Sequence, residues 1–211
     1  RDVTGVQTCA LPISIVMGAA GSSDAAYNLR DPADVAGTNN DIDGLTGKYL
    51  YVTNTVFDGV MGGLAGVDAI CNSDSARPRV GTYKAFIASY DRVSSTILRD
   101  ASTNWILFPS QKYYRYDGQY LGTTNASGVF LFPLNTTINP SFLEYWTGMN
   151  ASYLSNSGSM ASCTPAGLGQ SWTANSSTNG ATGRSDRQDS TTITGGGPLC
   201  SVVKHLLCAE Q

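Results

Sequence analysis

This chain is poor in charge and nearly without histidine. Charged residues make up 14% of its 211 positions, and the formal net charge is −3. No basic stripe is present to neutralise phosphates, which excludes an ordinary nucleic-acid surface. No apolar run reaches the roughly 20 residues that a membrane-spanning helix needs. Lys and Glu are scarce beside Ser, Thr, Asn and Gly, a bias away from long surface helices and toward strands, turns and ordered loops.

The signatures of catalysis are missing as well. His205 is the single histidine, so any Ser-His-Asp or Cys-His pair would have to use it. It sits in a terminal segment beside Cys208, where a structural role is expected. There is no Gly-x-Ser-x-Gly elbow, no His-Glu-x-x-His and no Cys-x-x-Cys, and one histidine cannot build a His-rich zinc site. The glycines 195–197 precede Pro198 and read as a turn, without the strand–loop–helix context of a phosphate cradle. Asn39-Asn-Asp-Ile-Asp-Gly44 imitates the start of a calcium loop, but Leu50 stands where the bidentate Glu belongs, so an Asx-rich linker is expected there. The residues therefore point to a non-enzymatic protein with no metal and no cofactor.

What the chain does have is cysteine in a telling arrangement. Of its five cysteines, Cys9 lies in Val3–Ile13, a segment that reads as the in-frame translation of a sequencing-library adapter. Residues 1–13 are therefore expected to be foreign, with the natural N-terminus and its export signal upstream. Residues 14–47 are small, polar and aperiodic, with Asp31-Pro32 as a breaker, and read as a flexible tether. Residues 48–211 form one domain of ordinary size. Within it Cys71, Cys163, Cys200 and Cys208 remain, an even set that suits a secreted, disulfide-bonded module. Four cysteines allow three pairings. Sequons at Asn125, Asn135, Asn150 and Asn175 matter only in a glycosylating host.

Along the domain, Lys48–Thr55 reads as a strand, rich in Tyr, Val and Thr. Leu64, Val67 and Cys71 fall at i, i+3 and i+7, which places the cysteine on the buried face of a short helix. Tyr83–Ser89 is a second strand, and Ser94–Ala101 a second helix with a serine N-cap. Trp105–Phe108, Gly128–Phe132, Tyr145–Met149, Cys200–Val203 and His205–Ala209 read as further strands. Asp117-Gly118 between aromatic runs marks a hairpin. The stretch Ala151–Pro198 is nearly all Ser, Thr, Asn and Gly, and reads as a functional or disulfide-held loop region.

Gly62-Gly-Leu-Ala-Gly-Val-Asp-Ala-Ile-Cys71, Thr82-Tyr-Lys-Ala-Phe86, Trp105-Ile-Leu107, Tyr113-Tyr-Arg115, Gly122–Gly128, Tyr145-Trp-Thr-Gly148 and Leu207-Cys-Ala-Glu-Gln211 occur in that order. Together they resemble a bacterial family typified by endostatin-like surface lipoproteins of spirochaetes, over roughly residues 48–211. The resemblance implies an α+β, C-type-lectin-like fold: two helices flanking a small antiparallel sheet, with a long loop region. It also implies nested disulfides, Cys71–Cys208 and Cys163–Cys200, each worth about 3–5 kcal/mol in the chain-entropy model. The final strand carries Leu206-Leu207 where the family has an aromatic, and Cys163 lies further from Trp172 than the family pattern places it. The family's sugar-binding relatives use Glu-Pro-Asn or Gln-Pro-Asp loops, which are absent here.

The positive candidates for binding are aromatic and charged residues near polar loops. Trp105 and Trp146 read as core. Tyr114, Tyr116 and Trp172 are candidates for an exposed surface, although alternate tyrosines also pack inward in such strands. Arg184, Asp186, Arg187 and Asp189 alternate in sign and suit specific polar contacts. The expected function is an extracellular recognition or adhesion module on a bacterial surface, binding protein ligands of the extracellular-matrix or serum type. The alternative is a calcium-independent, lectin-like glycan binder that stacks sugars on its rings. No nucleic-acid partner is expected, and a lipid anchor upstream would fix the module to the cell.

Overall fold

A computed structural model describes residues 12–15, 21, 23–24, 35–38, 45–89, 92–93, 104–151, 162–165, 170–175 and 178–211. The chain divides into two compact units, Arg1–Leu45 and Thr46–Gln211. In the first, β1 (Pro12–Ile15) pairs antiparallel with β2 (Val35–Thr38), two strands in a stretch whose composition reads as tether. Cys9, the calcium-like run 39–44 and the expected helix Ser94–Ala101 lie outside the described residues.

The second unit is built on one mixed sheet. Its strands are β3 (Lys48–Val52), β4 (Tyr83–Ala85), β5 (Lys112–Arg115), β6 (Tyr120–Thr123), β7 (Glu144–Trp146), β8 (Thr182–Arg184) and β9 (His205–Glu210). The order is β6-β5-β3-β9-β7-β8, with β4 also paired to β9. One edge of β9 carries β3; the other carries β7 along Leu206 and β4 along Cys208 to Glu210. The β3–β5 and β7–β9 pairs are parallel. One α-helix, α1 (Gly63–Ser73), occurs among the described residues. These findings correct the expected fold: in place of a small antiparallel sheet between two helices, the domain is mainly sheet, mixed in direction and seven strands wide.

Successive side chains point to opposite faces, and consecutive apolar or aromatic positions in its central strands bury this sheet on both. On one face Leu50, Val52, Tyr113, Tyr145, Leu207 and Ala209 join a first core. On the other, Tyr51, Tyr83, Ala85, Trp146, Leu206 and Cys208 join a second. The first core is closed by a loop rather than by a further sheet. Leu134 N–H donates to the Gln188 carbonyl, Asn135 N–H to Leu121 and Asn139 N–H to Ser185. The segment 134–139 thus bridges the edge strand β6 to the chain just beyond β8, while Leu134 and Ile138 plug the space between. The second core lies under α1, whose Val67 and Cys71 are buried one turn apart. Asp68 of this helix takes two guanidinium hydrogen bonds from the fully buried Arg92, at 2.8 and 2.6 Å, and one from Ala85 N–H.

Three expected strands are absent as strands. Trp105–Phe108 and Gly128–Phe132 supply Ile106, Leu107 and Phe130 to the first core from irregular backbone. An apolar run reports burial, and a loop that plugs a curled sheet buries the same side chains as a strand does. Cys200–Val203 instead forms a turn closed by Val202 N–H to Leu199 carbonyl. The expected hairpin is present: β5 and β6 pair antiparallel around Asp117-Gly118, with Gly118 at φ 85°.

Candidate ligand-binding surface

Both disulfides run through the second core. Cys71–Cys208 joins α1 to β9 with a Cα–Cα distance of 5.7 Å, and Cys163–Cys200 joins two loops at 5.6 Å. Trp172 lies beside the second bridge and is fully buried. Its indole N–H donates to the Ala88 carbonyl at 3.0 Å, and its ring centre is 5.8 Å from that of Trp146. Cys163 and Trp172 both adopt left-handed backbone, φ 47° and 64°, a costly geometry for residues with a Cβ. It is held by Trp172 N–H to Ser162 carbonyl and Thr173 N–H to Cys163 carbonyl. The expectation that Trp172 is an exposed anchor is therefore corrected. An indole that fills the space against Trp146 and satisfies its one donor inside is a core plug.

The remaining sequence candidates are not brought to one place. Tyr114 and Tyr116 belong to the β5–β6 end of the sheet and Arg184–Asp189 to the β8 end. Arg184 binds Asp186 at 3.0 Å, Arg187 approaches the same carboxylate at 3.7 Å, and the Arg184 guanidinium lies 4.6 Å from the ring centre of exposed Phe142. The Arg184 hydrogen bond holds the Asp186 carboxyl below the ordinary carboxylate range. Asp189 accepts the Thr191 N–H and hydroxyl, at 2.9 and 2.5 Å, which caps the 3₁₀ turn Ser190–Thr192 and depresses its own pKa. These charges are largely occupied with one another. Tyr114 sits between Tyr49 and Tyr120, with ring centres 6.1 and 5.7 Å away, a tilted stack that is half-buried. Tyr116 is 40% exposed. His205 Nδ1 lies 2.7 Å from the Thr53 carbonyl, and no cluster of three or more metal-ligating side chains occurs among the described residues.

A different surface stands out once the backbone ties are traced. Phe57 and Lys204 exchange two hydrogen bonds, N–H to carbonyl each way, at 2.7 and 2.9 Å, and Gly59 N–H donates to the Cys200 carbonyl at 2.7 Å. The segments 56–60 and 199–204 thus run side by side, and the Cys163–Cys200 bridge anchors the second of them. Their inward side chain, Phe57, packs on the second core. Their outward ones are Val56, Val60, Leu199, Val202 and Val203, 39–52% exposed. Around them are Asp58, which accepts Asn175 Nδ2 at 3.1 Å, and the Lys204–Glu144 ion pair. A group of aliphatic side chains rimmed by polar ones is the ordinary anatomy of a protein-binding surface. Sequence reasoning missed it because Cys200–Val203 reads as a strand. The available signal was Val56, Asp58 and Val60 at period two before a glycine-rich helix start.

The fold and its bridges define a disulfide-stapled, mainly-sheet domain, and the two disulfides are consistent with an extracellular protein. No described helix is long and apolar enough to cross a membrane. Residues 54–189, well over half of the chain, match the family described as "Protein of unknown function (DUF1554)", and the chain belongs to that family. No curated protein matches the chain.

Proposed function

We propose that the protein is a non-enzymatic extracellular recognition or adhesion module, carried on a bacterial surface, that binds a protein ligand through the aliphatic surface of segments 56–60 and 199–204. The observation that carries this reading is the exposure of Val56, Val60, Leu199, Val202 and Val203 on two hydrogen-bonded segments, one of them anchored by a disulfide. Exposed aliphatic side chains on a rigid support cost little ordering on association. Their burial against a partner returns about 25 cal/mol per Å² of apolar area. The resemblance of its ordered motifs to those of endostatin-like surface proteins favours a cell-surface setting, with matrix or serum proteins as the proposed ligand class.

The test is a binding panel of extracellular-matrix and serum proteins, probed with the full chain and with a Val60→Glu/Val203→Glu variant. Both side chains are about half exposed, so the variant should melt with the parent chain. Loss of binding to a panel member that the parent binds supports the reading. Unchanged binding by the variant removes this surface as the contact.

A further inference from the structure

We infer that a cleft at the C-terminal ends of β3 and β5 is a binding site for a neutral saccharide, separate from the aliphatic surface. It encloses about 330 Å³ and is lined by Tyr51, Val52, Asn54, Ala76, Tyr116 and Asn139. That volume is at the lower end of small-molecule sites. β3 and β5 are parallel neighbours, so both chains leave the sheet at the same end. The exits diverge, Asn54 toward the end of α1 and Tyr116 into the hairpin turn, and the gap between them is the cleft.

The lining decides the ligand class. No charged side chain lines the cleft, and the charges nearest in sequence are already engaged. Asp74 accepts Asn54 N–H at 3.2 Å and Ala76 N–H at 2.8 Å. Arg115 is held by Asp117 at 2.5 and 2.7 Å. An ionic ligand would find no counter-charge there. A wholly apolar one would strand the rim. Asn54 uses its amide N–H on Ser75 Oγ, which leaves the amide oxygen as an acceptor. Asn139 uses its amide oxygen on Ser141 N–H, which leaves the amide NH₂ as a donor. The Tyr116 hydroxyl has no hydrogen-bond partner among the described residues, and its ring is 40% exposed. By contrast the Tyr51 hydroxyl is spent on the Cys71 carbonyl, so the floor is apolar in character.

The cleft thus offers an apolar floor of Val52 and Ala76, one aromatic face, one acceptor, one amide donor and one hydroxyl. A molecule that matches all of these is neutral, rich in hydroxyls and has one C–H face. A pyranose ring fits that description: its axial C–H bonds lie on Tyr116 while its hydroxyls meet Asn54 and Asn139. Asn54 is exposed and Asn139 half-buried, and a ligand without hydroxyls would displace water from the Asn54 amide oxygen and the Asn139 amide NH₂ without replacing its hydrogen bonds.

The test uses the isotope-labelled full chain and NMR of the Asn54 and Asn139 side-chain amides. The probes are glucose, galactose, mannose, N-acetylglucosamine and β1,4-linked dimers of glucose and N-acetylglucosamine, with glucose 6-phosphate as the anionic control. At least one neutral sugar should shift both amides saturably, in the millimolar range, and the phosphate ester should bind more weakly than glucose. Tyr116→Ala should weaken binding about tenfold or more, whereas Tyr116→Phe, which keeps the ring, should lose less. Both variants should melt with the parent chain. The inference is overturned if no probe shifts these amides, if shifts fall only on Tyr120 or its neighbours, or if Tyr116→Ala binds as the parent does. Sugar binding that survives in Val60→Glu/Val203→Glu is expected, so failure here and failure of the protein-ligand reading are told apart.

Discussion

Replacing Trp172 by alanine separates a structural indole from a binding one. The side chain is fully buried, stacks 5.8 Å from Trp146 and donates to the Ala88 carbonyl. Truncating a buried Trp costs about 3–5 kcal/mol from lost transfer and the cavity left behind. The abandoned Ala88 carbonyl pushes the loss toward the upper end, since an unsatisfied buried acceptor costs about 1–3 kcal/mol. Alanine inherits the left-handed φ of 64° and so recovers no backbone strain. Glycine at the same position should recover some of it, since left-handed backbone carries no penalty without a Cβ. In a domain of this size each kcal/mol moves Tm by about 2–4 °C, so a drop of roughly 6–20 °C is expected. Urea unfolding under oxidising conditions, followed by Trp fluorescence and far-UV circular dichroism, measures the free energy directly. A loss below about 1 kcal/mol would refute the core-plug assignment and return Trp172 to the list of contact residues.

Three further outcomes follow from the same geometry. Cys163→Ser/Cys200→Ser opens a loop of 37 residues, and the chain-entropy model gives a loss of about 4 kcal/mol in denaturant unfolding; hydrogen exchange should rise first in 56–60 and 199–204. Gly59→Ala would drive a Cβ into the Ala174 carbonyl and to 2.7 Å from Cys163 Sγ, so a loss of about 1–3 kcal/mol is expected, and a neutral variant would show that the two tied segments are looser than described. Burial pushes the Tyr83 hydroxyl up to about 12 from 10.0. Because this folded-state value is raised, its stabilising contribution is intact below pH 10 and is lost as pH climbs toward 12. Alkaline unfolding in that window, with Tyr83 ionising only as the fold opens, should appear in ultraviolet titration.

Much of the domain was legible where side-chain periodicity and backbone pairing coincide. Lys48–Val52 reads as a strand because it is a nearly continuous aromatic and aliphatic run, as a strand buried on both faces requires, and Val67 and Cys71 mark the covered side of α1. Asp117-Gly118 identifies the hairpin because only glycine takes that turn's φ without cost. The seven-strand sheet was not legible. Its β4 and β8 are three residues long, and β8 lies in a Thr/Gly/Ser stretch with no hydrophobic signal. Its pairing is set instead by Glu144–Trp146 and by the return of 134–139 across the edge. The candidate surface was hidden for a related reason. Val202 and Val203 are β-branched residues beside a cysteine, a local pattern shared by buried strands and exposed turns, and only the Leu199–Val202 hydrogen bond decides between them. Trp172 was misread because a lone aromatic in a polar segment looks exposed until Trp146 is found beneath it.

The central claim is that segments 56–60 and 199–204 meet a protein ligand. Its most direct measurement is a hydrogen-exchange footprint of the full chain with a matrix or serum protein found to bind it. The account predicts new protection in both segments together, centred on Gly59 and Val202, with the tyrosine stack of β5 and β6 unchanged. Protection confined to the Arg184–Asp189 turn or to Tyr114–Tyr120, with 56–60 and 199–204 exchanging as in the free chain, would contradict it.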